Sequence, residues 1–172
     1  MTSFDDFAVN PHVLFLDVDG VINNRWSMTE GVERAKAEGT GYTDFEGFMF
    51  PSRMDPKCIE RLNRLVKVGG FDVVLSSIWR YGRPWEVTSR YFRQVCGAAF
   101  DLIGATPRAW KSHGRGEEIE RWRQEQGDAR SFVILDDDSD MEPHMDRLVL
   151  VKGEPGLQDH DVDSALRLIL PR

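Results

Sequence analysis

The chain has too few cysteines for a disulfide framework, no apolar run approaching membrane-spanning length, and no excess of basic residues. Its two cysteines, Cys58 and Cys96, both fall in helix-like stretches. They read as small buried hydrophobes in a reducing compartment rather than as a disulfide or a nucleophile. The first residues, Met-Thr-Ser-Phe-Asp-Asp-Phe, are acidic and lack the apolar stretch of a signal peptide. With no membrane-length run either, a cytoplasmic protein with no membrane partner is expected. A formal net charge of −7 argues against bulk attraction to nucleic acid or anionic lipid, leaving only a local basic patch for such contacts. There is no internal repeat and no low-complexity tract. Walker-type glycine loops, H-E-x-x-H and nucleophile elbows are also missing, so kinase, zinc protease and serine hydrolase chemistries have no motif to rest on.

What is present is ordinary globular material: 172 residues, 41% apolar and 30% charged, enough for one domain, 1–172, with a real core. Val13 to Leu16 is a short continuous apolar run, as expected of a strand buried on both faces of a parallel sheet. Asp55-Pro56 opens a helix with Ile59, Leu62, Leu65 and Val66 on one face, and Gly69-Gly70 stops it. Phe71 to Leu75 is the next strand. Pro84 to Cys96 reads as a helix with Tyr91, Phe92 and Val95 inward, and Phe100 to Ile103 as a short strand. Arg115 to Gln126 is a helix carrying Ile119 and Trp122, Phe132 to Leu135 a strand, and Leu148 to Val151 a last strand. Asp161 is expected to cap a closing helix with Val162, Ala165, Leu166 and Ile169 inward. This alternation predicts an α/β fold: a three-layer, Rossmann-like sandwich with a mostly parallel sheet of about five strands and helices on both faces. The polar segment from Asn23 to Pro51, rich in glycine and with a short helix expected at Glu30 to Glu38, shows no strong periodicity. Segments of that length are commonly functional, and a flap or mini-cap at about 23–51 is expected.

Three of the strands end in polar clusters: Asp17-Val-Asp19-Gly20, Ser76-Ser77, and Asp136-Asp137-Asp138-Ser139-Asp140. In a parallel sheet all three lie along one edge, where open α/β sheets bind ligands. Taken singly, each is explained by turn capping or solvation; together they favour chemistry. A calcium loop at Asp136, Asp138 and Asp140 fails, because Met141 stands where glycine is needed and Arg147 where glutamate is needed. Hard oxygen ligands from Asp17 and the Asp136/Asp137 pair suit Mg²⁺ and phosphoryl transfer. A carboxylate can attack phosphorus, and its neighbour two residues on can move the proton. Arg80, Arg83, Arg108, Lys111 and Arg115 are the available cations, with surface charge the plainer reading for Arg83 and Arg108. Arg115 opens a helix, where a guanidinium and the helix N-terminus face the same anion.

Phe-Leu-Asp17-Val-Asp19-Gly20-Val resembles the first motif of the haloacid dehalogenase-like (HAD) hydrolase superfamily. Val-Val-Leu-Ser76-Ser77, Arg115-Gly116 and Val-Ile-Leu-Asp136-Asp137 are similar to its second, third and fourth motifs, in the family's order. Leu-Ser-Ser-Ile-Trp-Arg and Arg-Gly-Glu-Glu-Ile also resemble a small branch linked to RNA-repair proteins and phage polynucleotide phosphatases. The resemblance implies a capless, Mg²⁺-dependent phosphatase working through an aspartyl-phosphate on Asp17. Asp19 would be general acid/base and give its backbone carbonyl to the metal. Ser76, first after the strand, would bind the phosphoryl oxygen, and Arg115 would neutralise it, with Ser77 and Lys111 as alternatives to these two. Arg80 and Gly20 complete the expected substrate-binding set. Asp17, Asp19, Asp136 and Asp137 form the expected metal set, with Asp138 and Asp140 as substitutes. An open site under a flap suits a nucleotide or a polynucleotide end, and Trp26, Tyr42, Phe45, Trp79 and Trp85 are candidates either to stack a base or to anchor the flap. Two other classes compete. A receiver-like phospho-accepting module groups its acids differently, and a non-catalytic HAD-like binding protein would be expected to have lost Asp17 or Asp19.

Overall fold

A computed structural model describes residues 10–25, 27, 29, 33, 37, 42–51, 54–108 and 114–169. Five parallel strands form the central sheet: β1 (His12–Leu16), β4 (Phe71–Leu75), β5 (Leu102–Ala105), β6 (Ser131–Asp136) and β7 (Leu148–Leu150). A separate antiparallel hairpin consists of β2 (Tyr42–Phe45) and β3 (Phe48–Pro51). The α-helices whose bounds are described are α1 (Pro56–Gly69), α2 (Trp85–Tyr91), α3 (Arg115–Gln126) and α4 (Asp159–Ile169). The sheet order is β5-β4-β1-β6-β7. Strand β1 is therefore flanked by β4 and β6, whose connections leave it in opposite directions. Such a reversal opens a crevice at the strands' C-terminal ends.

Successive strand residues point to opposite faces, and the apolar residues divide accordingly. Leu14, Leu16, Val73, Leu75, Val133 and Leu135 share one core with Leu62 and Leu65 of α1, Val87 and Tyr91 of α2, and Val162 and Ala165 of α4. Phe15, Val74, Phe132 and Ile134 pack on the other face with Ile119 and Trp122 of α3. Both faces of β1 are thus covered, as its unbroken apolar run requires. Each fully buried Leu or Phe contributes about 1.5–3 kcal/mol. Among the described residues no helix is long and apolar enough to cross a membrane.

Helix α1 begins and ends as its sequence implies. The Asp55 side chain accepts from the Lys57 N–H, Pro56 occupies the first turn, and Gly70 closes the helix in the left-handed region. Elsewhere the structure corrects the expectations. Beyond α2 the chain continues through a π-helical turn, Phe92–Cys96. The wider turn shifts the helical phase, so Tyr91 and Phe92 stay buried while Val95 turns outward and is 43% exposed. Strand β5 starts two residues later than Phe100. Helix α4 starts at Asp159, so Asp161 lies in its first turn instead of capping it; its carboxylate accepts from the Gln158 N–H at 2.8 Å.

The 23–51 segment contains structure that its weak periodicity concealed. Of the helix expected at Glu30 to Glu38, Glu33 and Ala37 are described, and both are helical. The hairpin turns at Glu46-Gly47, both with positive φ, and Phe50 packs inward, stacked on Tyr91 with ring centroids 4.1 Å apart. The Tyr91 hydroxyl donates to the Pro51 carbonyl. At the other end, buried Asn24 donates to the Asp55 carboxylate at 2.7 Å and to the Pro155 carbonyl at 3.0 Å. Both cysteines are free. Burial pushes the Cys58 thiol up to about 11 and the Cys96 thiol up to about 12, which makes both poor nucleophiles near neutral pH.

Candidate active site

Register alone assembles the first part of the site. Leu16 pairs with Leu75 on one side and with Leu135 on the other. The next residues, Asp17, Ser76 and Asp136, therefore fall in one row across three strand tips. The Asp17 N–H donates to the Leu135 carbonyl at 2.9 Å, and the Ser76 N–H to the Leu16 carbonyl at 2.8 Å. Asp17, Ser76 and Asp136 are all buried.

Arg115, the first residue of α3, reaches this row from the face that α3 covers. Its Nη1 lies 2.8 Å from Asp17 Oδ1, 2.7 Å from Asp136 Oδ2 and 2.9 Å from the Ser76 carbonyl. The helix start is held close by Gly116, where a Cβ would stand 2.3 Å from the Met141 carbonyl and 2.2 Å from that of Glu142. The Arg115 N–H also donates to Asp140 Oδ2 at 3.3 Å. Burial alone would lower the pKa of Arg115, but Asp17 and Asp136 outweigh it and raise it.

Carboxylate oxygens of Asp17, Asp136 and Asp137 all lie within 4.8 Å of one another. Burial raises the pKa of Asp17, opposed by Arg115. Burial and the neighbouring Asp17 charge push Asp136 up to about 7. Asp137 is exposed yet also raised, first by desolvation. Three carboxylates around one guanidinium carry more negative charge than it can offset, and hard oxygen donors at this spacing fit a divalent cation. The alternatives Asp138 and Asp140 are engaged locally instead: Asp138 accepts from the Ser139 N–H, and Asp140 meets the start of α3. Gly20 makes room for the third acid. It has φ +78, and a Cβ there would lie 2.0 Å from Asp137 Oδ2.

Asp19 stands apart from this acidic cluster and is half-buried. Its Oδ1 accepts from Asn23 Nδ2 at 2.6 Å and its Oδ2 from the Trp79 indole N–H at 3.0 Å. Of the two serines, Ser77 lies beside the Asp17 carboxylate and opposes its upward shift, while Ser76 Oγ is buried without a partner. Arg80 is drawn into the interior, pairing with Glu118 and donating to the Ser77 carbonyl at 2.6 Å. Lys111 and Trp26 lie outside the described residues. Tyr42 is exposed, Trp85 is half-buried, and Phe45 packs against Phe50 and Tyr91. The contacts of Trp79 and Asn23 with Asp19 were not foreseen. The signal was present in the Ser-Ser-Ile-Trp spacing, which puts an indole one short turn beyond the second strand tip.

A family profile described as the HAD domain in Swiss Army Knife RNA repair proteins matches residues 13–162. Among solved structures, a haloacid dehalogenase-like family hydrolase from Streptococcus pneumoniae aligns over 90% of each chain, at 12% identity and a TM-score of 0.45. No curated protein matches the sequence.

Proposed function

The chain belongs to the HAD domains of Swiss Army Knife RNA repair proteins, a group of hydrolases, and from that membership we propose a Mg²⁺-dependent phosphomonoesterase acting on a nucleotide or a nucleic-acid end phosphate. The observation that carries this reading is the row of Asp17 and Asp136 bridged by Arg115, with Asp137 beside it. Asp17, Asp136 and Asp137, with the Asp19 backbone carbonyl, would hold the metal, which when bound would offset phosphoryl charge.

Asp17 attacks phosphorus, forming an O–P bond as the bond to the leaving oxygen breaks. The electron pair stays with that oxygen, which takes a proton from Asp19. Water then attacks phosphorus and gives a proton to Asp19, the O–P bond to Asp17 breaks, and inorganic phosphate leaves. Arg115 neutralises the phosphoryl oxygens, and a hydroxyl of the Ser76-Ser77 pair donates to them. The chain works as one domain, with 23–51 as a flap over an open mouth. The nucleic-acid preference rests on the family description and on that openness, Asp137 being exposed.

The test is Mg²⁺-dependent phosphate release from nucleotides, phosphorylated oligonucleotides, sugar phosphates and a nitrophenyl phosphate, run beside Asp17→Asn. Loss of the nucleophile is expected to lower kcat by about 10³-fold or more. Full activity in Asp17→Asn would overturn the mechanism. A stable phosphorylated protein without turnover would point to a regulatory acceptor instead.

A further inference from the structure

We propose that Trp79 is a positioning residue for Asp19: its indole N–H fixes the carboxyl group that protonates the leaving oxygen, and the β2–β3 hairpin holds the indole in place. This rests on the phosphatase reading above.

Asp19 has two side-chain torsions and stands at a half-open mouth, so nothing in its own backbone sets where its oxygens point. Two donors from different parts of the chain do so. Asn23, on the loop after β1, donates to Oδ1 at 2.6 Å, and Trp79, on the short turn after β4, donates to Oδ2 at 3.0 Å. Each donor is itself held. Asn23 Oδ1 accepts from the buried Ser27 hydroxyl at 3.1 Å. Trp79 is 7% exposed; its ring lies 5.9 Å from Phe50 and 6.2 Å from Phe92, with the Arg83 guanidinium 5.5 Å above it. Phe50 belongs to β3 and is itself stacked on Tyr91. A path of packed rings therefore runs from the hairpin to the oxygen that moves the proton. The same packing covers the indole, which leaves it no open face for a base.

An indole N–H only donates. At Asp19 Oδ2 it occupies one lone-pair direction and leaves the other for the transferable proton. During phosphoryl transfer the Asp19 O–H bond breaks as the leaving oxygen takes that proton, while the bond from phosphorus to that oxygen breaks and Asp17 closes on phosphorus. A fixed Oδ2 keeps the proton aimed along this path. A carboxyl group released on one side loses the aim but leaves phosphate binding and the nucleophile untouched.

The experiment compares wild type with Trp79→Phe, which keeps the aromatic bulk and removes the N–H. Both are measured on an alkyl phosphate, whose leaving oxygen needs a proton, and on nitrophenyl phosphate, whose leaving oxygen does not. The reported quantity is kcat/KM, which covers the first transfer. The expected result is a loss of about 10²-fold on the alkyl ester, little change on the nitrophenyl ester, and unchanged Mg²⁺ affinity. Equal losses on both esters, or no loss on either, would overturn the proposal and leave the phosphatase reading standing. Indole resonances in a ¹⁵N spectrum give a second readout that needs neither turnover nor a Trp79 variant. Asp19→Ala is expected to shift one indole N–H, and an unmoved set would also overturn the proposal. Absence of any hydrolysis by wild type would instead sink the phosphatase reading.

Discussion

At the scale of single residues, the site depends on one nitrogen meeting three acceptors. Arg115 Nη1 has two hydrogens but faces Asp17, Asp136 and the Ser76 carbonyl together. A lysine ammonium has three. Arg115→Lys is therefore expected to keep activity within about 10-fold, whereas Arg115→Met, which leaves two buried carboxylates facing each other, should lose about 10²-fold or more; steady-state kinetics on one substrate checks both. The acids themselves were legible from sequence, because several polar clusters at the tips of strands in one parallel sheet fall along one edge, which capping alone does not explain. The choice among Asp137, Asp138 and Asp140 was not. It turns on which carboxylate swings over Gly20 and which ones bond to nearby backbone, and that is decided by loop geometry rather than by residue type. The same holds for Trp79, whose aromatic character reads as stacking until its N–H is seen to meet Asp19.

At the scale of elements, sequence reading succeeded where one residue type has one backbone use. Asp55-Pro56 and Gly70 mark the ends of α1 because a cap, a fixed φ and a left-handed stop are local matters. It failed where the backbone departs from a regular period. The π turn at Phe92–Cys96 carries no residue signature, so Val95 was assigned to the core by a 3.6-residue phase that no longer applied there. The hairpin was hidden by its polar surroundings, although Glu46-Gly47 between aromatic residues is a turn signal. Helix α3 is seated by Ile119 and Trp122 and, at its start, by the close approach at Gly116. Gly116→Ala is expected to push the helix start off the Met141 and Glu142 carbonyls, costing about 1–3 kcal/mol and lowering kcat by displacing Arg115. Thermal melting and kinetics together would show it; a variant with unchanged melting temperature and activity would refute the packing account.

At the scale of the whole molecule, three strand tips that are far apart in sequence meet only when the sheet is complete, and the two acidic ones meet as like charges. Asp136 has a folded pKa of about 7 against an ordinary value of 3.8, and Asp17 and Asp137 shift the same way. Between those values the native protein keeps a proton that the unfolded chain has released. Stability therefore falls as pH rises from about 4 to about 7. In chelator, the melting temperature is expected to drop across that window from this cause. Mg²⁺ should reverse the drop increasingly toward and above pH 7, since the metal needs the acids ionised. Asp136→Asn should flatten the chelator profile and weaken the Mg²⁺ response. A chelator profile equally steep in that variant would count against Asp136 as its source.

The strand order also has a consequence in time. The strand that carries Asp17 is made first, yet it is the middle strand of the finished sheet. Its first neighbour, β4, begins only at Phe71, and its other flank stays bare until β6 begins at Ser131. A chain not yet grown to Arg115 thus holds the nucleophile beside an open sheet edge, without Asp136, Asp137, the guanidinium or the floor of helix α3. Asp17 meets its acidic neighbours only once Asp136 and Asp137 have been made.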